Sequence, residues 1–441
     1  MKRPWLAAIG TVALTGGLFI VIYNLCNWLT HLRPDVGVWD FAWERHWPVV
    51  PAMIVPYWSL DFLYILAPFL CRTREELGVL RRRLIFVTIA AGLGFLAIPL
   101  QFAFPRPHVE GIFAPMFAAL YSFDLPHNLF PSLHLALRTV LTSFYLRKTS
   151  GAGRWLVHGW FSLVGISTLL TWQHHLVDVL GGVWLGAIAI HLFRHDELAA
   201  PRAHNIRIAC YYALGAIICS QLARLAFPWT VPFVWPASAL GIAAFGYAGF
   251  GGNIYRKHAG QLTWPTKVLL GPMLFGQWIS WRYYRTKSPP WNEVSRGVWI
   301  GALLTSEEAL SARNQGVTSV LDLCVEFSEP AAFRELHYTH FPVLDLTAPT
   351  AAQFTTAAEI IETESARGII YIHCKAGYSR SAGAVGAWLL QTGRARTVEG
   401  AAALLIAVRP GIVIRPEIRE ALRQFENAKL SPQSANGADQ V

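Results

Sequence analysis

Hydrophobic and polar positions divide the chain into two parts of different texture. Up to about residue 280, apolar runs alternate with short polar segments, and charges are sparse within the runs. A helix needs about 20 largely apolar residues to cross a bilayer core. The runs predict spans at about 5–31, 49–70, 84–104, 131–147, 155–173, 176–193, 208–227 and 231–251. The first is too long for the apolar core of a secretion signal and has no small-x-small cleavage site, so it reads as a retained helix. From about Trp291 the pattern changes to short apolar strands and amphipathic helices. Thr305-Ser306-Glu307-Glu308 and the Thr350/Gln353 pair are capping signals that open helices. Segments 317–324, 341–344 and 368–373 read as buried strands, and 350–367, 381–391, 397–409 and 416–427 as helices. Alternation of this kind predicts an α/β domain around a central sheet.

Composition supports the division. The chain is 54% hydrophobic and 15% charged, with a mean hydropathy of +0.36, whereas soluble domains carry roughly 25% charged residues. The net charge of +10 is explained by where the basic residues fall. Arg72, Arg74 and Arg81 to Arg83 follow the second span. Arg147, Lys148 and Arg154 follow the fourth, Arg194, Arg202 and Arg207 the sixth, and Arg256 and Lys257 the eighth. By the positive-inside rule these loops, the N-terminus and the C-terminal domain are cytoplasmic. The basic residues form no stripe suited to nucleic acid. The apolar run 268–281, between Arg256-Lys257 and Arg282/Arg285, predicts a helix lying on the cytoplasmic leaflet. A ninth span there would place the C-terminal domain outside, but the run is short for that. The expected organisation is a polytopic α-helical membrane domain at 1–255, a linker with an interfacial helix at 256–290, a cytoplasmic α/β domain at 291–428 and a polar, disordered tail at 429–441. This describes an integral membrane protein, placed in a bacterial inner membrane. Six cysteines without a CxxC spacing suggest neither a disulfide framework nor a zinc site. No metal or cofactor is expected.

Three loops on the non-cytoplasmic side carry polar residues: Arg106-Pro107, Pro131-Ser132-Leu133-His134 and His174-His175-Leu176-Val177-Asp178. Ionisable groups at the edge of lipid are functional candidates. His174 and Asp178 are four residues apart, so on a helix the carboxylate can fix the imidazole tautomer. Arg138 lies one turn beyond His134. It either snorkels to the surface or serves as a phosphate ligand, and its distance from both ends of the span favours the ligand. His108, His127 and His175 read as solvated or interfacial.

In order and spacing these residues resemble the type 2 phosphatidic acid phosphatase superfamily, over about residues 84–195. That family runs Lys-x6-Arg-Pro, Pro-Ser-Gly-His and Ser-Arg-x5-His-x3-Asp. Here Arg106-Pro107, Pro131-Ser132-Leu133-His134 and Ser167-Thr168-x5-His174-x3-Asp178 take those places. The resemblance implies that His174 is phosphorylated and oriented by Asp178, that His134 protonates the leaving group, and that Arg106 and Ser132 hold the phosphate. Pro99 and Thr168 replace two of the family's phosphate ligands. The Pro-Ser-Leu-His and double-histidine pattern is more similar to inositol phosphorylceramide synthases, which transfer head groups between lipids.

The strongest chemical signal is His373-Cys374-Lys375-Ala376-Gly377-Tyr378-Ser379-Arg380-Ser381, between an apolar strand and a helix. Cys374 and Arg380 bracket five residues, Lys375, Ala376, Gly377, Tyr378 and Ser379, whose N–H groups can converge on a phosphate at a helix N-terminus. Arg380 offers a bidentate fork and lowers the thiol pKa. The Ser381 hydroxyl can stabilise the departing sulfur. The run resembles the Cys-x5-Arg phosphatases, most closely the dual-specificity group, over about 291–427. The resemblance calls for an aspartic general acid. Asp345, 29 residues before Cys374, fits better than Asp322, which lies inside a strand. Lys375 resembles the loops of members directed at phosphoinositides or phosphatidylglycerophosphate. Two functions stay open. One is a bifunctional membrane phosphatase joining a Cys-dependent phosphomonoesterase to a His-dependent lipid phosphatase or head-group transferase. The other is a protein Tyr/Ser/Thr phosphatase anchored by a decayed membrane domain. The partner is accordingly a phospholipid or a phosphoprotein.

Overall fold

A computed structural model describes residues 4–194, 204–225 and 231–430; the expected tail lies almost wholly outside them. The chain forms two compact units, 1–197 and 198–441.

The first unit is helical: α1 Trp5–His31, α2 Ile54–Leu66, α3 Arg74–Ala97, α4 Ala114–Phe123, α5 Leu133–Lys148, α6 Ala152–Leu170 and α7 Leu176–Leu192. Two elements depart from the hydropathy reading. The span expected at 84–104 is α3, which begins ten residues earlier because Thr73 caps it, accepting from Glu76 N. It ends at Ala97 because Pro99, Pro105 and Pro107 follow, and proline cannot continue a helix. Helix α4 has no counterpart in the hydropathy pattern; it is ten residues long, with a proline in its first turn. The core joins α3, α5 and α7 through Leu84, Val87, Ala91, Val140, Phe144 and Ala189. Helices α5 and α7 approach closely because two glycines face α5. A Cβ at Gly186 would stand 2.6 Å from Thr139 Cβ, and one at Gly182 2.6 Å from Leu135 Cβ. Close backbone approach through small residues is how helices pack in lipid. The two helix starts are tied directly: Ser132 N donates to Asp178 O at 3.1 Å.

The second unit opens with α8 Ile206–Leu225 and α9 Val234–Phe245. The span expected at 231–251 is shorter than its apolar run, since α9 gives way to a π-turn at Gly246–Phe250 and a 3-10 turn at Gly251–Tyr255. A hairpin follows, β1 Lys257–His258 paired with β2 Gln261–Leu262. In place of one helix at 268–281 there are two, α10 Trp264–Leu269 and α11 Gly271–Arg285. The start of α9 packs where α10 meets α11: Trp235 Nε1 donates to Val268 O of α10 at 2.7 Å, and its ring lies against Gly271 of α11. Ala239, Ala243, Tyr247, Ile254 and Tyr255 form one cluster with Val325 and Leu344. For that reason the units divide at residue 197 rather than at the composition boundary near 255. Trp5–His31, Pro51–Leu70 and Ile206–Ala223 are long and apolar enough to cross a membrane, by length and composition.

The α/β part has a five-stranded sheet of β3 Trp291–Ser295, β4 Val298–Ala302, β5 Val317–Cys324, β6 His337–Val343 and β7 Ile369–Cys374, in the order β3-β4-β7-β5-β6. Strands β3 and β4 pair antiparallel and the others parallel. Helices α14 Ala351–Ser365, α15 Arg380–Gln391, α16 Val398–Val408 and α17 Pro416–Leu430 share a core with the sheet through Ile300, Leu321, Ile372, Phe354, Val385, Trp388, Leu405 and Leu422. A second cluster, Trp299, Val320 and Tyr371, packs on Ala309 of α12 Ser306–Asn314 and Phe333 of α13 Ala331–Arg334. Central β7 is thereby buried, and it delivers Cys374 to the carboxyl edge of the sheet, where open α/β sheets bind ligands.

Candidate active site

Cys374 ends β7 and Arg380 begins α15, so the five intervening residues form a loop around the helix N-terminus. Gly377 makes the turn possible. Its φ is +72°, and a Cβ there would lie 2.5 Å from Gly301 C and 2.8 Å from Ala302 N. Only glycine combines that conformation with so close an approach. Cys374 is 3% exposed, and its Sγ lies 3.4 Å from Ser381 Oγ. Burial pushes the thiol pKa up, but the Arg380 charge, the Ser381 hydroxyl and the backbone N–H groups of Ser381 and Gly377 outweigh it and leave the pKa below its ordinary value.

Arg380 is buried and fixed from one side. Its Nη1 donates to Val343 O at 2.8 Å, Leu323 O at 3.3 Å and Glu326 Oε2 at 3.1 Å. Its Nη2 lies 3.8 Å from Asp345 Oδ1. Lys375 Nζ donates to Asp345 Oδ2 at 3.0 Å and to Gln277 Oε1 of α11 at 2.6 Å. Burial raises the Asp345 carboxyl, yet Arg380 and Lys375 hold it below the usual carboxylate range. The structure therefore brings Cys374, Arg380, Ser381, Lys375 and Asp345 together. Ala376 lies on the same loop. Tyr378 turns outward, with its hydroxyl 3.0 Å from Ser288 Oγ, and the buried Ser379 hydroxyl has no hydrogen-bond partner. Asp322 is fully buried, held by Lys257, Cys324 N and the Tyr338 hydroxyl.

Four contributors escaped the sequence reading. Glu326 and Gln277 carry no local signal. Lys257 reads only as loop charge. Arg409 gives a weak one, a cation closing an apolar helix; it is buried, with Nε on Gly377 O at 3.1 Å and Nη1 on Asn292 Oδ1 at 2.7 Å.

In the first unit, His134 and His174 line one cavity of about 280 Å³ with Tyr23, Tyr57, Asp61 and Asp124. His134 stacks on Tyr57 at 4.3 Å. His174 Nδ1 lies 3.6 Å from Asp178 Oδ2, an oxygen that also accepts from His175 N at 2.8 Å. Arg106 lines a smaller adjoining pocket with His174; its Nη1 donates to Tyr121 O at 3.1 Å. Two expected phosphate ligands are directed elsewhere. Ser132 is buried and caps α5, accepting from Leu135 N at 3.2 Å. Arg138 Nε donates to Phe161 O at 2.6 Å, because a cation inside an apolar bundle finds a backbone carbonyl. His175 is not solvated but 1% exposed. Its Nε2 accepts from Ala103 N at 3.1 Å, so Nδ1 carries the proton toward Glu44 Oε2 at 2.5 Å. His127 is buried too, while the side chain of His108 is 87% exposed.

Comparison with known proteins bears on the α/β part of the second unit. Residues 298–428 match the family model described as "Dual specificity phosphatase, catalytic domain". Dual specificity protein phosphatase 19 of Mus musculus is 31% identical over 149 residues, covering 32% of this chain and 64% of that protein. Phosphatidylglycerophosphate phosphatase PTPMT2 of Arabidopsis thaliana is 27% identical over 143 residues, covering 31% and 62%. Dual specificity protein phosphatase CDC14AB of Danio rerio is 27% identical over 105 residues, covering 24% and 17%. The chain spans less than two thirds of the length of each. Among solved structures, PTPMT1 in complex with PI(5)P is 23% identical with a TM-score of 0.30, covering 33% of this chain and 99% of that one.

Proposed function

We propose that this chain, whose residues 298–428 are a phosphatase catalytic domain of the dual-specificity type, hydrolyses phosphomonoesters at the surface of a membrane and carries a second, histidine-dependent phosphoryl-transfer centre in its helical unit. The observation that carries the first part is Cys374 Sγ beside Ser381 Oγ at 3.4 Å within a loop closed by a fixed Arg380. The thiolate attacks phosphorus while Asp345 gives its proton to the departing oxygen. Asp345 then accepts a proton from water. That water cleaves the cysteinyl-phosphate, releasing inorganic phosphate and the thiolate, which the Ser381 hydroxyl stabilises. The incoming phosphate occupies Arg380 and Lys375, and its own charge raises the Asp345 carboxyl so that it carries the proton it must donate.

A lipid substrate is favoured by α11. One side of this helix reaches the catalytic loop through Gln277 and Lys375. Its other side exposes Phe275, Trp278, Ile279 and Tyr283, beside Arg282 over the Trp278 ring at 5.9 Å. Exposed aromatics flanked by cations suit a lipid interface. In the helical unit, His174 would accept the phosphoryl group, Asp178 orient it and His134 protonate the leaving group. The Pro-Ser-Leu-His and double-histidine pattern, with Pro99 and Thr168 in place of two family phosphate ligands, favours head-group transfer over monoester hydrolysis.

The test compares wild type, Cys374→Ser and His174→Ala on a phosphotyrosine peptide, phosphatidic acid, phosphatidylglycerophosphate and a phosphoinositide, with head-group transfer to ceramide as a further assay. Monoester hydrolysis surviving in Cys374→Ser refutes the first centre. A His174→Ala protein unchanged in every lipid assay refutes the second. Preference for the peptide over all lipid monoesters makes the protein an anchored phosphoprotein phosphatase instead.

A further inference from the structure

Beneath the catalytic loop lies an ionic cluster with no access to solvent. Asp322 of β5, Glu329 and His373 of β7 bring one ligand atom each to within 4.8 Å of one another. His373 Nε2 is 3.2 Å from Glu329 Oε2 and 3.6 Å from Asp322 Oδ1. Two carboxylates and an imidazole in this arrangement invite a cation, and the chain supplies one. Lys257, from the β1–β2 hairpin, donates to the Asp322 carboxylate and to Cys324 O at 2.8 Å. It lies 4.0 Å from Glu329 Oε2, and its side chain is 0% exposed.

The hairpin is seated by its backbone as well. Glu329 N donates to Gly260 O at 2.6 Å, and Leu262 N to Ser328 Oγ at 3.0 Å. This hairpin precedes the 298–428 family match, so the buried charge balance is completed by a segment added to the phosphatase domain.

We propose that Lys257 is a positioning residue for the Cys374 site. Asp322 and His373 are register partners on β5 and β7, the strands that end beside the phosphate loop. Two residues beyond Cys324 the chain presents Glu326, which holds Arg380 Nη1 at 3.1 Å. By gripping Asp322 and Cys324 O, Lys257 fixes the end of β5 and, through Glu326, the plane of the Arg380 guanidinium. Removing the ammonium leaves Asp322 and Glu329 against His373 in a dry site, with His340 facing Asp322 and, among the described residues, only the Tyr338 hydroxyl and Cys324 N still donating to it. An unpaired buried charge is strongly unfavourable, so the strand ends shift to relieve it.

The test uses the full chain in detergent, with p-nitrophenyl phosphate as substrate and Cys374→Ser as blank, since the inference rests on Cys374 being the nucleophile. Activity remaining in the blank would fault that reading rather than the lysine. Lys257→Met keeps the volume and removes the charge. Its kcat should fall about 10²-fold, the scale of a displacement of about 1 Å at a reacting centre, with KM moved less than about twofold. The pair Lys257→Met/Asp322→Asn restores neutrality and should regain at least about tenfold of that loss. A Lys257→Met protein with wild-type kcat overturns the proposal, as does a pair whose loss equals the product of the two single losses. If Lys257→Met does not accumulate, the neutral pair should accumulate folded. Failure of the pair while Asp322→Asn alone folds and turns over normally also overturns it.

Discussion

Lys375 Nζ and Asp345 Oδ2 meet at 3.0 Å, so the loop lysine holds the proposed general acid in its ionised form while the site contains no phosphate. Arg380 acts in the same direction from 3.8 Å. Binding of a phosphate redirects both cations and lets the carboxyl take up a proton. The pH profile of kcat/KM should rise as Cys374 ionises, below the ordinary thiol range, and that of kcat should fall as Asp345 deprotonates in the complex. Asp345→Asn should remove the alkaline fall and lower kcat by ~10²–10⁴-fold. The loss should be larger for an alkyl phosphate than for an aryl phosphate, whose leaving group needs less proton help. Rate profiles on the two ester classes check this.

Arg380 is the leading influence among those that lower the Cys374 pKa against burial. Replacing it with methionine removes that charge from a buried thiol, so its pKa rises. A shift of one unit is a tenfold change in thiolate fraction below the pKa. Alkylation of Cys374 by iodoacetamide near pH 6 should therefore slow by about tenfold or more. Mass-spectrometric labelling rates over pH read this directly, independent of substrate. An unchanged labelling profile would assign the low thiol pKa to the helix N-terminus and Ser381 instead.

Gly377→Ala tests the loop geometry. The residue sits at φ +72° with a Cβ position only 2.5 Å from Gly301 C, so the change strains the backbone and forces the loop off β4. Holding a non-glycine residue there costs roughly 1–3 kcal/mol. Vanadate binding should weaken about tenfold or more, and kcat should fall with it. Calorimetric titration and steady-state rates measure the two effects.

The catalytic loop was legible because its chemistry is local: nucleophile, glycine and arginine lie within seven residues between a strand and a helix. That Asp345 lies beside the loop was legible from its distance along the chain and its place at a strand end. Glu326, Gln277, Arg409 and Lys257 were not, since each reaches the loop by tertiary folding from a different segment. Hydropathy located the helical segments but misjudged their ends, where capping and proline prevail over apolarity: Thr73 starts α3 among charged residues, and Pro99 follows its end. Strands β3 and β4 were missed because 291–302 has no clear alternation: β4 is buried on both faces, and β3 is partly exposed along its whole length. Ser132 was read as a phosphate ligand from its motif position and Arg138 from its place one turn beyond His134; the cap that Ser132 makes on α5 and the bond from Arg138 Nε to Phe161 O are tertiary and local details that neither position announces.

The paired histidines of the helical unit sit in different surroundings. His174 lines the cavity with His134, while His175 is buried between Ala103 N and the Glu44 carboxylate. Glu44 Oε1 also accepts from Leu176 N at 3.0 Å, so this pair fixes the start of α7, on which Asp178 sits. His175→Ala removes one of the hydrogen bonds to the buried Glu44 carboxylate, a loss of roughly 1.5–3 kcal/mol, the scale of a hydrogen bond to a charged group. It should lower the thermal unfolding midpoint of the detergent-solubilised protein clearly. His174→Ala removes a cavity-lining ring and should barely move that midpoint, while abolishing head-group transfer. Glu44→Gln keeps a hydrogen-bond acceptor for His175 and should fall between the two in stability. Thermal unfolding followed by intrinsic fluorescence, alongside a labelled-lipid transfer assay, distinguishes the cases. If His175→Ala instead abolishes transfer with no change in midpoint, the nucleophile is His175, and the motif alignment that selects His174 is shifted by one residue.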